Sequence, residues 1–148
     1  YTHAASWMVY ALGLMGRGDD AYQMFDMINP LSHALTKEAA DLYRVEPYVV
    51  AADVYGAGAK SGRGGWTWYT GSGGWLYRAA VEGILGIAMQ DGTHLRVTPA
   101  LPKGWPGYSA RLRHGGRDHA IEVTRRADAW QVTVNGAGPD ADGRFALN

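Results

Sequence analysis

The apolar residues of this chain change their period once, and that change constrains the fold more than any other feature. Up to about Met89 they recur every three to four positions, and beyond Asp91-Gly92 they alternate with polar residues. Residues spaced by three and four share one face of a helix, whereas alternating residues share one face of a strand. The sequence therefore predicts a mainly α segment over residues 1–90 followed by a β-rich segment over residues 91–148.

In the first segment Ala5, Met8, Val9, Leu12 and Met15 line one helical face, and the glycines from Gly16 to Gly18 end it. A second helix follows through Tyr22, Met24, Phe25, Met27 and Ile28, with Asp19 or Asp20 as its expected cap and Pro30 as its stop. Thr36 to Tyr43 reads as a short helix, and Pro47 suits the first turn of another reaching about Tyr55. Gly56 to Gly65 is a flexible loop. A further helix is predicted from about Gly73 to Met89, with Arg78 and Glu82 as an i,i+4 ion pair.

In the second segment Leu95/Val97, Ala110/Leu112, Ile121/Val123 and Trp130/Val132/Val134 mark four antiparallel strands, expected to belong to a β-sandwich. Gly115-Gly116, Ala127-Asp128 and Asn135-Gly136 stand where the turns are needed. Pro99, Pro102 and Pro106 remove backbone donors, so Pro99 to Gly107 is a connector. His94, His114 and His119 have no metal-ligand spacing and read as surface or sheet-edge residues.

Charge and composition exclude several functions. The chain has 148 residues, with 14 Lys and Arg against 14 Asp and Glu. No broad positive field draws nucleic acid or an anionic membrane, and any bound anion must be held locally. The absence of cysteine removes disulfides, thiolate zinc sites and a thiol nucleophile, and fits a reducing compartment. No apolar run approaches the roughly 20 residues of a membrane-spanning helix. The glycine-rich loop fits neither nucleotide signature: Ala59 precedes Lys60, and Ser61 follows Gly58 out of place.

Gly64 to Tyr77 holds the most pointed chemistry. Its Thr70-Gly71-Ser72 turn leads into a helix, where free amides and the helix dipole favour an anion, glycine allows close approach, and two hydroxyls add donors. Trp66, Trp68 and Trp75 set flat apolar faces beside it. Phosphate next to a stacked sugar is the ligand pair this suggests. The same residues also suit plainer roles: Thr70 and Ser72 as helix caps, the tryptophans as core, His3 as a cap or core-edge residue, and Glu46 as a charge favouring a helix start at Pro47.

Three motifs together resemble glycoside hydrolase family 94. They are Tyr1-Thr-His-Ala-Ala-Ser-Trp7, Glu46-Pro-Tyr48, and Gly65 to Arg78 running into Glu82-Gly-Ile-Leu-Gly-Ile87. The likeness extends over about residues 1 to 125, and its wording is nearest the branch acting on β-1,2-glucans, which includes the C-terminal module of cyclic β-1,2-glucan synthases. It implies the C-terminal part of an (α/α)6 barrel followed by a β-rich segment. It also implies an inverting phosphorolysis in which inorganic phosphate, a co-substrate rather than a cofactor, attacks a β-glucoside and yields α-glucose 1-phosphate.

By the same resemblance His3, Thr70 and Gly71 bind phosphate, with Ser72 beside them, while the general-acid Asp lies upstream of Tyr1. Glu46, Trp66 and Trp68 are substrate-side candidates, and no metal is expected. Ala51-Ala52-Asp53 replace a sugar-contacting Gln of the cellobiose and chitobiose branches, which turns the expectation away from those disaccharides. The chain then reads as a fragment that is inactive alone, sits in the cytoplasm or on the cytoplasmic side of a membrane synthase, packs on the remainder of its barrel and self-associates without it. A non-catalytic carbohydrate-binding or packing module, and part of a six-hairpin hydrolase, are the alternatives.

Overall fold

A computed structural model describes residues 1–147. Helix α1 (Thr2–Leu14) packs against α2 (Gly18–Asp26), and between them Gly16 takes φ 72°, the left-handed conformation that stops a helix at little cost in glycine. Helix α3 (Lys37–Tyr43) is opened by the Thr36 hydroxyl, which accepts the Ala39 amide at 3.2 Å. Helix α4 (Thr70–Arg78) continues as a π-helical turn, Ala79–Ile84, that crosses α1. The crossing is close because glycines meet there: a Cβ on Gly13 would lie 2.5 Å from the Gly83 carbonyl.

Three helical expectations are corrected. The helix predicted to reach Met89 ends at Ile84, and Ile87–Gln90 form strand β3 instead. Gly86 takes φ 75° and its carbonyl accepts the Thr98 amide at 2.9 Å, so pairing with the next strand competes successfully for an apolar run that suits helix or strand equally. The helix predicted from Pro47 to Tyr55 is absent. Residues 50–55 are held by bonds to 63–69, including Ala52 N to Trp66 O at 2.8 Å, and contain the two-residue ladder of β1 (Asp53–Val54) with β2 (Gly64–Gly65). Three β-branched valines in Val49 to Val54 favour that outcome. Neither Asp19 nor Asp20 caps α2: Asp20 pairs with Arg17 at 2.8 Å, and Asp19 accepts the Lys103 amide at 2.8 Å, tying the helix to the connector after the first sheet.

The β-rich part holds two three-stranded antiparallel sheets. One has the order β3-β4-β8 (β4 His94–Val97, β8 Arg144–Ala146), the other β5-β6-β7 (Gly107–His114, Arg117–Arg126, Ala129–Val134). All four predicted strands are present, and the turns fall where expected. Asn135 and Gly136 take φ 52° and 79°, as a tight hairpin requires. Leu95, Val97 and Phe145 of the first sheet and Ile121, Val123 and Val134 of the second join Val9, Leu12, Ala21, Leu76 and Ala79 in one core. His119 is corrected from a surface histidine to a buried one, 2% exposed. It shares the inward face of β6 with Ile121 and Val123, and the Asn135 amide donates to its Nδ1 at 3.2 Å.

Not every apolar face is covered. On α1, Ala4, Trp7, Met8, Ala11, Leu14 and Met15 form a second stripe at helical spacing, and all six are exposed, Leu14 and Met15 at 67% and 68%. A helix that is apolar around its whole circumference is one built to be enclosed.

Candidate anion site at two helix N-termini

The N-termini of α1 and α4 meet. Neither carries a side-chain cap: Tyr1 and Tyr69 occupy the cap positions without capping bonds. Each terminus presents amides without intrahelical partners and a partial charge of about +0.5, so two positive helix ends converge on one spot. His3 stands in the first turn of α1 and Thr70 and Gly71 in the first turn of α4. The imidazole lies against Gly71: a Cβ placed there would be 3.3 Å from His3 Cε1 and 3.5 Å from Nδ1. A side chain at this position would press on the ring and move it by a few tenths of an ångström.

Thr70 and Gly71 are exposed and His3 is half-buried, so all three can face a ligand. Ser72 is placed differently. It is fully buried, and its hydroxyl lies in a hydrogen bond with Thr2 Oγ1 at 3.1 Å. Aromatic rings frame the histidine: Tyr1 stacks at 6.1 Å, Trp7 meets it edge-on at 5.0 Å, and Tyr69 at 6.4 Å. Tyr1 and Tyr69 join their hydroxyls at 3.0 Å, and that bond pushes the Tyr1 phenol above its ordinary pKa.

The substrate-side candidates lie on the segments leading into this corner. Trp66 and Trp68 are 78% and 61% exposed, outside the core, and both take left-handed backbone, φ 56° and 59°. Such a conformation costs a bulky residue on the order of 1–3 kcal/mol and persists only when its surroundings impose it. Here the bonds from Ala52 N to Trp66 O and from Tyr69 N to Val50 O, at 2.8 and 3.0 Å, impose it. Tyr48 packs edge-on to Trp68 at 6.1 Å. Glu46 Oε2 is enclosed and has no hydrogen-bond partner among the described residues, an acceptor left for a donor from elsewhere. Trp75 is half-buried against Trp7 and Tyr10, with the Arg78 guanidinium 5.1 Å above its ring. The predicted Arg78–Glu82 pair is present at 2.7 Å; together with the Tyr10 hydroxyl it holds the Glu82 carboxyl below its usual pKa, the guanidinium contributing most.

Comparison with known proteins identifies the family. Residues 1–86 match the model of the glycosyl hydrolase 94 superfamily catalytic domain. The chain belongs to that family. Residues 89–141 match the C-terminal domain of glycosyl hydrolase family 65. The chain is 56% identical over 91% of its length to the cyclic beta-(1,2)-glucan synthase NdvB of Rhizobium meliloti (strain 1021), of which the match covers 5%. It is 31% identical over 93% of its length to the N,N'-diacetylchitobiose phosphorylase of Vibrio proteolyticus, covering 17% of it, and 26% identical over 85% to the solabiose phosphorylase of Paenibacillus borealis, covering 16%. The chain thus spans a small fraction of each relative. The described residues include no helix long and apolar enough to cross a membrane.

The structure brings the expected residues His3 and Gly71 together, with Thr70 beside Gly71, and adds two hydroxyl contacts at the same corner that the sequence did not point to, Thr2 with Ser72 and Tyr1 with Tyr69. These contacts join residues 70 and 68 positions apart, and nothing in the local pattern marks them.

Proposed function

We propose that this chain is the phosphate-binding part of an inverting glycan phosphorylase module that cleaves a β-glucan, β-1,2-linked, to α-glucose 1-phosphate. The observation that carries it is the approach of His3 to Gly71 where two uncapped helix N-termini converge. A dianion needs fixed donors at the position where it attacks, and first-turn amides, the Thr70 hydroxyl and an imidazole N–H supply them without reorganisation. Inversion requires the nucleophile on the face of the sugar opposite the proton donor, so the general acid, an Asp in this reading, comes from another segment of the full-length protein. Trp66 and Trp68 offer exposed rings to the glucan, and Glu46 is a further substrate-side candidate. The family's (α/α)6 barrel supplies the neighbours that enclose the outer stripe of α1, and the two sheets form the sandwich that follows it. The setting is cytoplasmic, and no cofactor takes part.

The full-length protein, incubated with β-1,2-glucan, is expected to release α-glucose 1-phosphate only when phosphate is present, and phosphate is expected to shift the His3 ring signals in an NMR titration. Glucose release without phosphate would instead indicate a hydrolase. Glucan binding indifferent to phosphate would indicate a carbohydrate-binding module.

A further inference from the structure

Beneath the anion site, Thr2 joins three pieces of chain that are distant in sequence. Its amide donates to Ala52 O at 2.8 Å, its single hydroxyl proton goes to the nearest carbonyl, Ala51 O, and Thr2 Oγ1 also lies 3.1 Å from Ala52 O and 3.1 Å from Ser72 Oγ, whose own hydroxyl can donate back to it. Thr2 is 1% exposed and Ser72 is 0% exposed. Each is the direct chain neighbour of a residue at the surface site: Thr2 precedes His3, and Ser72 follows Gly71. The buried hydroxyl pair therefore underlies the His3–Gly71 contact one residue away on both helices. Within a helix turn, a shift of Thr2 against Ser72 is passed directly to the imidazole and to the α4 amides.

We propose that Thr2 and Ser72 are positioning residues for phosphate: their hydrogen bond sets the register of the two helix N-termini, and so the distance between the imidazole and the α4 donors. This rests on the phosphorylase reading above. A buried pair serving packing alone would affect stability, or both substrates equally. A register pair acts on the oxyanion, because hydrogen bonds to a charged group weaken steeply with misplacement.

The test uses the full-length protein with Thr2→Val, Ser72→Ala, the conservative Thr2→Ser, and the double variant Thr2→Val with Ser72→Ala. Thr2→Val and Ser72→Ala are expected to raise KM for phosphate about tenfold while KM for the glucan stays within about twofold. Thr2→Ser should restore the phosphate KM, and the double variant should be no worse than the poorer single one, as for groups acting through one bond. Should Thr2→Val fail to fold, Ser72→Ala, which removes only one oxygen, gives the same reading. A wild-type phosphate KM in Ser72→Ala, or equal increases for both substrates, overturns the positioning role while leaving the phosphorylase reading intact. Absence of glucose 1-phosphate with the unmodified protein overturns both.

Discussion

The two halves of the molecule treat their apolar surface in opposite ways. In the sheet half, alternation is resolved in the core shared with the helices: Ile121, Val123 and Val134 point into it while their neighbours Glu122, Thr124 and Thr133 stand toward the outside. In the helical half, α1 buries Val9 and Leu12 but leaves Trp7, Met8, Leu14 and Met15 uncovered, and it keeps polar groups at its N-terminus free of caps. The difference separates a region whose apolar side chains are covered from a region that leaves an apolar stripe and two uncapped helix N-termini exposed. Stability is therefore expected to respond chiefly to the sheets, and phosphate chemistry chiefly to the helix ends.

Substitutions can break that division. The largest effect is expected from Ile121→Ala, which empties part of a fully buried site and should cost about 2–5 kcal/mol by denaturant unfolding. In whatever fraction remains folded, phosphate affinity should be unchanged. A selective loss of phosphate affinity there would mean that the sheets help to shape the site. His3→Ala should do the reverse: phosphate-dependent turnover of the full-length protein falls roughly ten- to a hundredfold, from losing a charge-assisted bond of about 1.5–3 kcal/mol, while the melting temperature scarcely moves.

Gly71→Ala sharpens the contrast within a single residue. Alanine favours a helix by up to about 1 kcal/mol over glycine, yet its methyl would stand 3.3 Å from His3 Cε1 and displace the ring. Equal or higher stability with about tenfold weaker phosphate binding is the expected result, and unchanged affinity would show that the close approach is incidental. Met8→Glu together with Leu14→Lys should reduce self-association of the 148-residue chain in sedimentation. No change would mean that the stripe is not the sticky face.

The smallest effect belongs to the β3–β4 turn. Hydrogen bonds from the Thr93 hydroxyl, and then from His94, hold the Asp91 carboxyl at about 2, below its ordinary 3.8. A depressed folded-state pKa means that this contribution to stability is present above about pH 3.8 and is lost as pH falls through 2. An NMR titration of the Asp91 carboxyl should show that low midpoint, and Thr93→Ala should raise it.

Local chemistry made much of this legible. The short helix at Thr36 to Tyr43, the Gly16 stop, the Asn135-Gly136 hairpin and the period-two strands depend on residues within a few positions of one another, and all are found where the pattern predicts. Errors arose where a distant partner decided. Ile87–Gln90 suits a helix by composition and becomes a strand because β4 is there to pair with it. Residues 50–55 leave the helix predicted for them because 63–69 supply the bonds. Asp19 does not cap α2 because the helix already begins at Gly18, and its carboxylate instead accepts the Lys103 amide, 84 residues away.

The candidate site follows the same rule. Its residue types were readable, since a Thr-Gly-Ser turn at a helix start and a histidine in a motif are local facts. Thr2 and Tyr69 were not, because each acquires its role only through a hydroxyl from the other end of the helical half. By itself, the sequence determined the switch from helix to strand, the turns, and the family to which the chain belongs, all of them properties of short-range spacing and residue identity. Only the tertiary structure decided that two positive helix ends meet, that the Ser72 hydroxyl is buried against Thr2, and that one face of α1 stays uncovered. Those are matters of distance between segments, and distance in space is set by packing and not by position along the chain.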